Sequence, residues 1–405
     1  MFQCRSCGGV RYAPVIDLGA MPLANALLEP GKANGQEAHY PLRVVLCEDC
    51  SLVQITETVP PEALFSDYVY FSSVSDTAVA SARIIAERLI VERNLRPNSL
   101  VMEAASNDGY LLRHYRDRGM SVLGIEPAAN IARVAEADGI ATRCAFFGRE
   151  EAARLAGEGR RCSVFHANNV LAHVADLNGF VAGIRGVLAA DGIAVVEVPY
   201  LRDLVDNAEF DTIYHEHLCY FSLTSLACLF ARHALVLADV ERIPIHGGSL
   251  RLFLAHAGTP QNARVRAMLD EETSLGMNGA CYYAGFATRV DRLKNDLVSL
   301  LKRLKTEGRR IAAYGASAKG ATLLNFFGLG RDVLDFVADR STAKQGKLTP
   351  GAHLPIVPAE ALAQARPDYC LLLTWNFADE ILAQQAAYRD AGGRFIVPIP
   401  QVRIV

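Results

Sequence analysis

The stretch SLVMEAASNDGYLLRHYRDRGMSVLGIEP, residues 99–127, decides the fold class of this chain. An apolar run ends at Glu103, a turn of small and polar residues follows, and an amphipathic segment leads to a second apolar run that ends at Glu126. Parallel strands need a helical crossover of this kind, so the order indicates a parallel sheet. Apolar runs at 162–171 and 192–201 continue the alternation, and the sequence predicts an α/β fold with a doubly wound sheet.

A second series of alternating strands and helices lies near the C-terminus. Its apolar stretches fall within 309–328, 333–340, 369–375 and 394–400, with helical patterns between them. This series predicts a second, Rossmann-like α/β domain. The region 260–308, which joins the two series, has the pattern of helices and ends at a glycine.

Ten cysteines are present, and four of them form two pairs, Cys4-x-x-Cys7 and Cys47-x-x-Cys50. Each pair supplies two thiolates from one tight turn, so two pairs complete a tetrahedral Zn²⁺ site. A closed four-cysteine site leaves no open coordination position, and we therefore predict a structural zinc ion. Redox-active pairs are the alternative interpretation. The six remaining cysteines are expected to behave as small hydrophobic residues.

The overall composition is that of an ordinary soluble globular protein. The 405 residues are 51% apolar and 21% charged, with 41 Lys plus Arg against 44 Asp plus Glu. A net charge of −3 does not favour nucleic-acid binding, which needs a basic face. No signal peptide and no membrane span are recognisable, so we expect a cytoplasmic protein. Nothing in the sequence indicates an oligomer, and a monomer is the expectation.

The turn after the first predicted strand, with Ser106, Asn107, Asp108 and Gly109, is a candidate cofactor site. An acid at the end of the next strand, Glu126, is typical of a group that accepts the ribose hydroxyls of an adenosine ligand. The glycine-rich fingerprint G-x-G-x-x-G is absent, which disfavours the pyrophosphate of NAD. The residues therefore favour S-adenosylmethionine (SAM) over NAD.

The segment YHEHLCYFS, residues 214–222, concentrates two histidines and a glutamate. Histidine suits proton transfer at neutral pH, so His217 and its neighbours are candidates for general acid–base catalysis. A metal site formed by H-x-H and a buried structural cluster are the alternatives. His173, in NNVLAHVAD (168–176), follows a predicted strand end, where ligands bind in open sheets.

Several motifs together carry a resemblance to a known family, and they occur along nearly the whole chain: CRSCGG (4–9), LGAMPLAN (18–25), LCEDCSLVQ (46–54), EAASNDGYLL (103–112), NNVLAHVAD, YHEHLCYFS, GGSLR (247–251) and YGASAKG (314–320). On these motifs the chain resembles the nucleotide-sugar C-methyltransferases of deoxysugar biosynthesis. It departs from the family at Ala104 and Ala105, where members more often have Ile-Gly.

The resemblance implies three domains, which we expect at 1–72 (zinc-binding), 73–258 (class I SAM methyltransferase) and 259–405 (Rossmann-like). It also implies the activity, which is methylation of C3 of a TDP-linked 4-keto deoxysugar through an enolate made by a base. The cofactor residues that it implies are Glu103, Ser106, Asn107, Asp108, Gly109, Glu126 and Asn168.

The same resemblance implies the roles of the catalytic residues. His217 is expected to be the base, with Glu216 paired to it as an orienting group. Tyr214, His173 and Tyr68 are expected to donate to the ketone oxygen or to the sugar hydroxyls. The choice between Tyr68 and the neighbouring Tyr70 stays open, and Tyr70 is otherwise assigned to the substrate.

The C-terminal motifs predict contacts with the nucleotide of the substrate. In GASAKG, Ser317 and Lys319 lie where a helix begins, a position that suits phosphate. Arg251 of GGSLR is expected at the diphosphate, and Asp339 and Lys344 at other nucleotide groups. A nucleotide fold with only a packing role is the alternative.

Three further functions remain open at this point. O- or N-methylation of a nucleotide sugar would use the same cofactor without a carbon acid. A zinc-stabilised binding protein would need no chemistry, although a polar cluster such as YHEH costs stability and is seldom present without use. A reductase would bind a nicotinamide cofactor at GASAKG.

Overall fold

The computed structural model describes residues 2–32, 37–60, 64 and 71–405. The strands, in chain order, are β1 (Tyr12–Pro22), β2 (His39–Cys47), β3 (Val53–Ile55), β4 (Leu100–Ala104), β5 (Ser121–Ile125), β6 (Thr142–Arg143), β7 (Cys162–Asn168), β8 (Leu188–Pro199), β9 (Cys219–Tyr220), β10 (Leu235–Ile243), β11 (Ser249–His256), β12 (Ile311–Tyr314), β13 (Val337–Asp339), β14 (Ile356–Pro358), β15 (Tyr369–Leu372), β16 (Arg394–Val397) and β17 (Arg403–Ile404).

Helices separate most of these strands. The α-helices are Asp76–Glu92, Leu112–Arg116, Ala129–Ala137, Arg149–Gly157, Leu177–Val187, Leu201–Asp206, Leu223–Ala231, Ala263–Ser274, Ala280–Tyr283, Phe286–Thr306, Ala318–Phe327, Ala361–Ala365, Ala378–Gln384 and Ala386–Asp390. Short 3₁₀ turns occur at Pro30–Lys32, Ser72–Val74, Leu171–His173, Phe210–Thr212, Ile245–Gly247 and Trp375–Phe377.

The central sheet has seven strands in the order β10-β11-β8-β7-β4-β5-β6. The five strands from β8 to β6 are parallel, while β11 runs antiparallel to both of its neighbours. The chain extends from β4 to one side through β5 and to the other through β7, so the strand order reverses between β4 and β7. Open α/β sheets bind ligands at such a reversal, outside the carboxyl ends of the strands. The predicted doubly wound sheet is confirmed.

The N-terminal segment forms a four-stranded antiparallel sheet in the order β1-β2-β3-β9. Its last strand comes from a distant part of the chain, because Val53 and Gln54 pair with Tyr220 and Cys219. The cysteine-bearing segment is therefore hydrogen-bonded directly to YHEHLCYFS.

The third sheet has the order β14-β13-β12-β15-β16-β17 and is parallel except for β17. Its order reverses between β12 and β15, so it is the second Rossmann-like sheet that the sequence predicts. The helix Phe286–Thr306 leads into it and buries a stripe of apolar residues at three- and four-residue spacing, among them Val290, Leu293, Leu297, Leu301 and Leu304.

One continuous cluster of buried apolar residues extends through all three sheets. The three units therefore pack against one another as parts of one core. Among the described residues, no helix combines the length and the apolar character that crossing a bilayer requires.

Candidate active site

The four paired cysteines converge in space, with all four Sγ atoms within 4.8 Å of one another. The Sγ atoms of Cys4 and Cys50 lie 3.6 Å apart, and so do those of Cys7 and Cys47. Ligands at about 2.3 Å from a tetrahedral zinc ion lie about 3.8 Å from one another, so the cluster has the dimensions of a zinc site. Each close contact joins one thiol from each pair, which ties the N-terminal turn to the turn after β2.

Polar groups around the cysteines are placed to support a metal site. The Gln54 side-chain amide donates to Cys4 Sγ at 3.1 Å, and the backbone N–H of Gly9 donates to Cys7 Sγ at 3.3 Å. Gln54 is fully buried and also accepts from the backbone N–H of Arg5 at 3.0 Å. Such outer contacts orient metal ligands. These four cysteines would hold a closed, structural zinc ion.

The predicted cofactor turn lies at the carboxyl end of β4. Ala105, Asn107 and Gly109 all have positive φ, at +51°, +50° and +76°. Three left-handed residues within five positions make a tight turn, and such backbone conformations are concentrated at binding sites. The Glu126 carboxylate accepts from the backbone N–H groups of Asn107 and Ala128, both at 2.9 Å, and so fixes this turn to the end of β5.

The same edge of the sheet carries an unusual number of unsatisfied polar atoms. Within the described part of the chain, buried oxygens there without a hydrogen-bond partner belong to Glu103, Ser106, Asp108, Asn168 and Asn169. Buried polar atoms are normally paired, so this concentration indicates a ligand that supplies donors. The hydroxyl, amino and ammonium groups of SAM are such donors, and these residues fit that cofactor. Burial raises the pKa of Glu103 well above its usual value, and the nearby Glu126 carboxylate raises it further.

All seven sequence-predicted cofactor residues thus lie along the carboxyl ends of β4, β5 and β7. The segment that follows residue 71 folds onto them, because the backbone N–H of Ser72 donates to Asn107 Oδ1 at 2.9 Å and that of Ser73 donates to Asp108 Oδ2 at 3.3 Å. Tyr68 and Tyr70 immediately precede this segment but lie outside the described residues, so their roles stay predictions.

The imidazole of His217 has a defined orientation. Its Nδ1 lies 2.8 Å from the carbonyl oxygen of Thr212, and its Nε2 lies 2.9 Å from the hydroxyl of Tyr214. A carbonyl oxygen only accepts, so in the neutral ring the proton is on Nδ1 and Nε2 is unprotonated and basic. The ring is largely buried, and the ring centroid of Tyr214 lies 4.1 Å away.

His173 brings this ring close to the carboxyl ends of β4, β5 and β7, where the predicted cofactor residues lie and which we call the cofactor edge. Its ring centroid lies 4.7 Å from that of His217, and it belongs to the 3₁₀ turn Leu171–His173 that directly follows β7. The backbone N–H of Leu218 donates to the carbonyl of Ala172 at 2.7 Å and fastens the two segments together. Burial lowers the pKa of His173 to about 4, and a hydrogen bond to the backbone of Glu216 only partly opposes this. His173 is therefore neutral near pH 7.

Glu216 does not pair with His217, and that prediction is wrong. Its carboxylate accepts from the side-chain amide of Asn25 at 2.7 Å, whereas both nitrogens of His217 face Thr212 and Tyr214. Adjacent residues in this tight segment point in different directions, so neighbouring positions in the sequence do not make a pair. Burial raises the pKa of Glu216 to about 7.

His215 anchors the segment to the N-terminal sheet. Its Nε2 lies 3.1 Å from the carbonyl oxygen of Tyr40 and 3.3 Å from that of Pro41 in β2. The ring is almost completely buried, and burial lowers its pKa. His215 and His217 point to different partners, so they do not form a chelating pair.

The predicted phosphate loop at the third sheet is engaged within the chain. Ser317 accepts from the backbone N–H of Gly320 at 3.1 Å and caps its own helix. The Asp339 carboxylate accepts from the backbone N–H groups of Ala316 and Ser341, both at 2.7 Å, and Lys344 Nζ donates to the Ala316 carbonyl at 2.8 Å. These hydrogen bonds build the loop itself, and contacts of the three residues with a nucleotide stay a prediction.

The predicted role of Lys319 at a phosphate stays a prediction. Its Nζ lies 4.9 Å from the centre of the Trp375 ring, and its charge acts on the buried carboxylates of Glu209 and Asp211. Burial raises the pKa of Glu209 to about 7 and that of Asp211 to about 6, although Lys319 lowers both. No motif in the sequence had marked these two acids.

Arg251 lies in the central sheet and does not reach the site. Its guanidinium donates through Nε to Glu197 at 2.6 Å and through a terminal nitrogen to Ser81 at 2.9 Å. Arg251 stands opposite Glu197 in the β11–β8 pairing and is 5% exposed. The prediction that it contacts the diphosphate is therefore wrong, because a buried carboxylate already neutralises it.

Two residues that the sequence interpretation did not assign belong to this site. Asn25 reaches Glu216 from the N-terminal segment, and the Thr212 carbonyl sets the tautomer of His217. Asn25 ends the motif LGAMPLAN, which was a signal of resemblance without a role. A backbone carbonyl leaves no signal in a sequence.

Comparison with known families gives three matches along the chain. Residues 4–65 match a family model described as "Putative zinc binding domain", residues 80–238 one described as "Methyltransferase domain", and residues 244–400 one described as "C-methyltransferase C-terminal domain". C-methyltransferase NovU of Streptomyces niveus is 38% identical over all 405 residues, which correspond to 96% of its own length.

Solved structures give a more distant likeness that is confined to less than half of the chain. Magnesium protoporphyrin IX methyltransferase of Synechocystis with bound SAM has 12% identity and a TM-score of 0.35, over 44% of this chain and 79% of the other. The CcbJ methyltransferase of Streptomyces caelestis has 15% identity and a TM-score of 0.35, over 44% and 90%. Identities and TM-scores this low do not support an assignment. The assignment therefore rests on the family models and on the relative NovU.

Proposed function

The chain belongs to the C-methyltransferase family, and from this premise we propose that it methylates C3 of a nucleotide-linked 4-keto deoxysugar, with TDP as the nucleotide. As a member of that family it is a SAM-dependent C-methyltransferase, and its four-cysteine cluster binds structural zinc. SAM supplies an electrophilic methyl group when it is bound. The carbon to be methylated must therefore be made nucleophilic, and that task falls to residues of this chain.

A 4-keto group acidifies the neighbouring C3–H, so a base can remove that proton and leave an enolate. His217 is our candidate base, because its Nε2 accepts a proton while Nδ1 remains bonded to Thr212. The enolate carries negative charge on the former ketone oxygen, which requires a donor held in place beforehand. We assign this donor to the hydroxyl of Tyr214, which lies beside Nε2.

One observation supports this proposal more than the alternative functions. The unprotonated Nε2 of His217 lies beside a phenol hydroxyl, in a segment that packs against the turn after β7. That turn follows directly from Asn168 at the edge with the unsatisfied polar oxygens. A proton acceptor, a hydrogen-bond donor and the cofactor edge are therefore neighbours, which is the arrangement that carbon methylation needs.

Incubation of the purified protein with SAM and a panel of TDP- and GDP-4-keto-6-deoxysugars tests the proposal. The panel includes 2-deoxy and 3-amino sugars, and the reactions run in H₂O and in D₂O. We expect S-adenosylhomocysteine, a product heavier by one methyl group, and loss of the C3 hydrogen. Without SAM, C3 should exchange with D₂O. A methylated product that keeps its C3 hydrogen would instead identify O- or N-transfer and overturn the proposal.

A further inference from the structure

The helix Ala318–Phe327 of the third sheet lies along the segment 209–213, which precedes the proposed base. Phe210 packs between Phe326 and Phe327, with ring centroids 5.6 Å and 4.9 Å away. The Thr322 hydroxyl lies 3.2 Å from the carbonyl oxygen of Ile213 and donates to it in a buried position. One helix thus holds this segment both by apolar packing and by a hydrogen bond.

Asp211 connects the same segment to the loop after β15. It is fully buried, and its Oδ2 accepts from the indole N–H of Trp375 at 2.7 Å. Lys319 supplies the opposing charge from the start of the helix, and its Nζ has no hydrogen-bond partner within the described part of the chain. A buried carboxylate is costly unless a charge and a donor compensate it, so Asp211 needs both groups.

The position of these groups in the third sheet is informative. Lys319 follows β12 and Trp375 follows β15, and these adjacent strands mark the reversal of the strand order. In open α/β sheets this crevice receives the ligand. The carboxylate of Asp211, from the segment before YHEH, accepts from the indole N–H of Trp375 at this edge of the sheet.

The segment that the helix and Trp375 hold in place determines the tautomer of His217. Asp211 and Thr212 belong to the same 3₁₀ turn, Phe210–Thr212, and the Thr212 carbonyl accepts from His217 Nδ1. If this carbonyl moved away, the hydrogen bond that favours the ring proton on Nδ1 would be lost. A ring with its proton on Nε2 has no lone pair there and cannot accept a proton from a substrate at that atom.

We propose that the C-terminal unit serves to position the catalytic base, with Lys319, Thr322 and Trp375 as positioning residues that fix the 210–212 turn and, through the Thr212 carbonyl, the tautomer of His217. The inference rests on the proposed role of His217.

Two substitutions remove one donor each: Thr322→Val keeps the side-chain shape, whereas Trp375→Phe also removes one ring of the indole. Trp375→Phe removes the indole N–H, and Thr322→Val removes the hydroxyl, whereas Thr322→Ser is the matched control that retains it. Loss of a hydrogen bond that positions a base should lower kcat about tenfold for Trp375→Phe and about fivefold for Thr322→Val. KM and the Kd of SAM should stay within about twofold, and Thr322→Ser should recover wild-type kcat.

A second measurement is independent of turnover. ¹⁵N NMR of histidine-labelled full-length, zinc-loaded protein distinguishes protonated Nδ1 from protonated Nε2, and the spectrum of His217→Gln assigns the His217 signals. We expect an Nδ1–H ring in the wild type and a shift towards Nε2–H in Trp375→Phe and Thr322→Val. The inference is overturned if both variants are folded, as unchanged SAM binding would show, and the tautomer of His217 is unchanged in both.

The two hypotheses fail in different ways. If no sugar of the panel is methylated but the tautomer shifts in the variants, the positioning role stands and the proposed substrate fails. If the wild type methylates a sugar but neither kcat nor the tautomer changes in the variants, the substrate stands and the positioning role is wrong.

Discussion

At the scale of single residues, the proposed chemistry depends on which nitrogen of His217 carries no proton. A histidine can act as a base only through the nitrogen without a proton, and Thr212 determines which one that is. The hydroxyl of Tyr214 lies at hydrogen-bond distance from the unprotonated nitrogen, Nε2. Because Tyr214 and Thr212 both lie within five residues of His217, a short segment supplies the whole arrangement.

Substitution of the proposed base should separate catalysis from cofactor binding. We expect His217→Gln to lower kcat by about 10²–10⁴ and to abolish C3 exchange in D₂O, because a positioned general base contributes that much. The Kd of SAM should not change. His233→Gln is the control, since His233 is half-buried, bonds to Asn178 and lies outside the site. Equal exchange rates in His217→Gln and wild type would contradict the assignment.

The buried carboxyl of Glu216 should make stability depend on pH. Its pKa is about 7 in the folded chain and lower when unfolded, so between about pH 4.5 and 7 the folded state binds the extra proton. Its contribution to stability is therefore greatest at low pH and is lost as pH rises through that window.

Glu216→Gln should remove this dependence. Relative to wild type, the variant should gain up to about 3 kcal/mol in unfolding free energy from pH 4.5 to pH 8. Urea titrations of both proteins at the two pH values measure the difference in unfolding free energy between variant and wild type. Buried histidines such as His173 contribute in the opposite direction, but they contribute equally to both proteins and cancel in this difference. A difference that stays constant with pH would show that Glu216 ionises normally.

At the scale of elements, the turn after β4 determines how the cofactor edge is built. Its left-handed residues let the chain reverse within a few positions, and the carboxylate of Glu126 fastens it to the next strand. Gly109 has φ +76°, and a Cβ atom there would lie 2.7 Å from Cγ1 of the buried Ile140. This position therefore requires glycine for two reasons, backbone conformation and space.

A pair of glycine substitutions distinguishes these two reasons. Gly119 has φ +81° with open space around its Cβ position, so Gly119→Ala should cost about 1–2 kcal/mol from backbone strain alone. Gly109→Ala should cost about 2–4 kcal/mol and weaken SAM binding at least about tenfold, because the added methyl displaces Ile140. Thermal unfolding and calorimetric titration with SAM check this. Equal effects of the two variants would exclude the steric contribution.

At the scale of the whole molecule, the site is made where the three units meet. Asn25 comes from the N-terminal segment, His217 and Tyr214 from the connection between β8 and β9, and Thr322 and Trp375 from the third unit. The zinc cluster fixes the sheet whose last strand, β9, begins two residues after His217. A structural metal that takes no part in the chemistry can therefore affect catalysis.

Loss of zinc should reduce both stability and turnover. Wild type should contain about one zinc ion per chain, and Cys4→Ser should lose it together with about 3 kcal/mol or more of unfolding free energy. Its kcat should fall as well, because β3 no longer holds β9 in place. Cys228→Ser is the control, since Cys228 is exposed and outside the cluster. Metal analysis, unfolding and turnover are measured on both variants, and full activity without zinc would contradict the link.

Features that depend on local pattern could be predicted from the amino-acid sequence. Alternating apolar runs give the two doubly wound sheets, because neighbouring residues decide strand and helix. Spacing within Cys4-x-x-Cys7 and Cys47-x-x-Cys50 gives the metal cluster, and the acids Glu103 and Glu126 lie at the ends of two adjacent parallel strands, where the sequence predicts the cofactor. Parallel strands bring such ends together whatever the rest of the chain does.

Which side chains face one another across the units depends on packing between distant segments and could not be predicted from the sequence. Asn25 meets Glu216 from 191 residues away, and Trp375 meets Asp211 from 164 residues away. Arg251 was expected at a diphosphate and is instead neutralised by Glu197 on the adjacent strand. A motif shows which groups are available, but the partner that compensates each buried charge is set by packing between distant segments, and that partner decides whether the group binds a substrate or supports the fold.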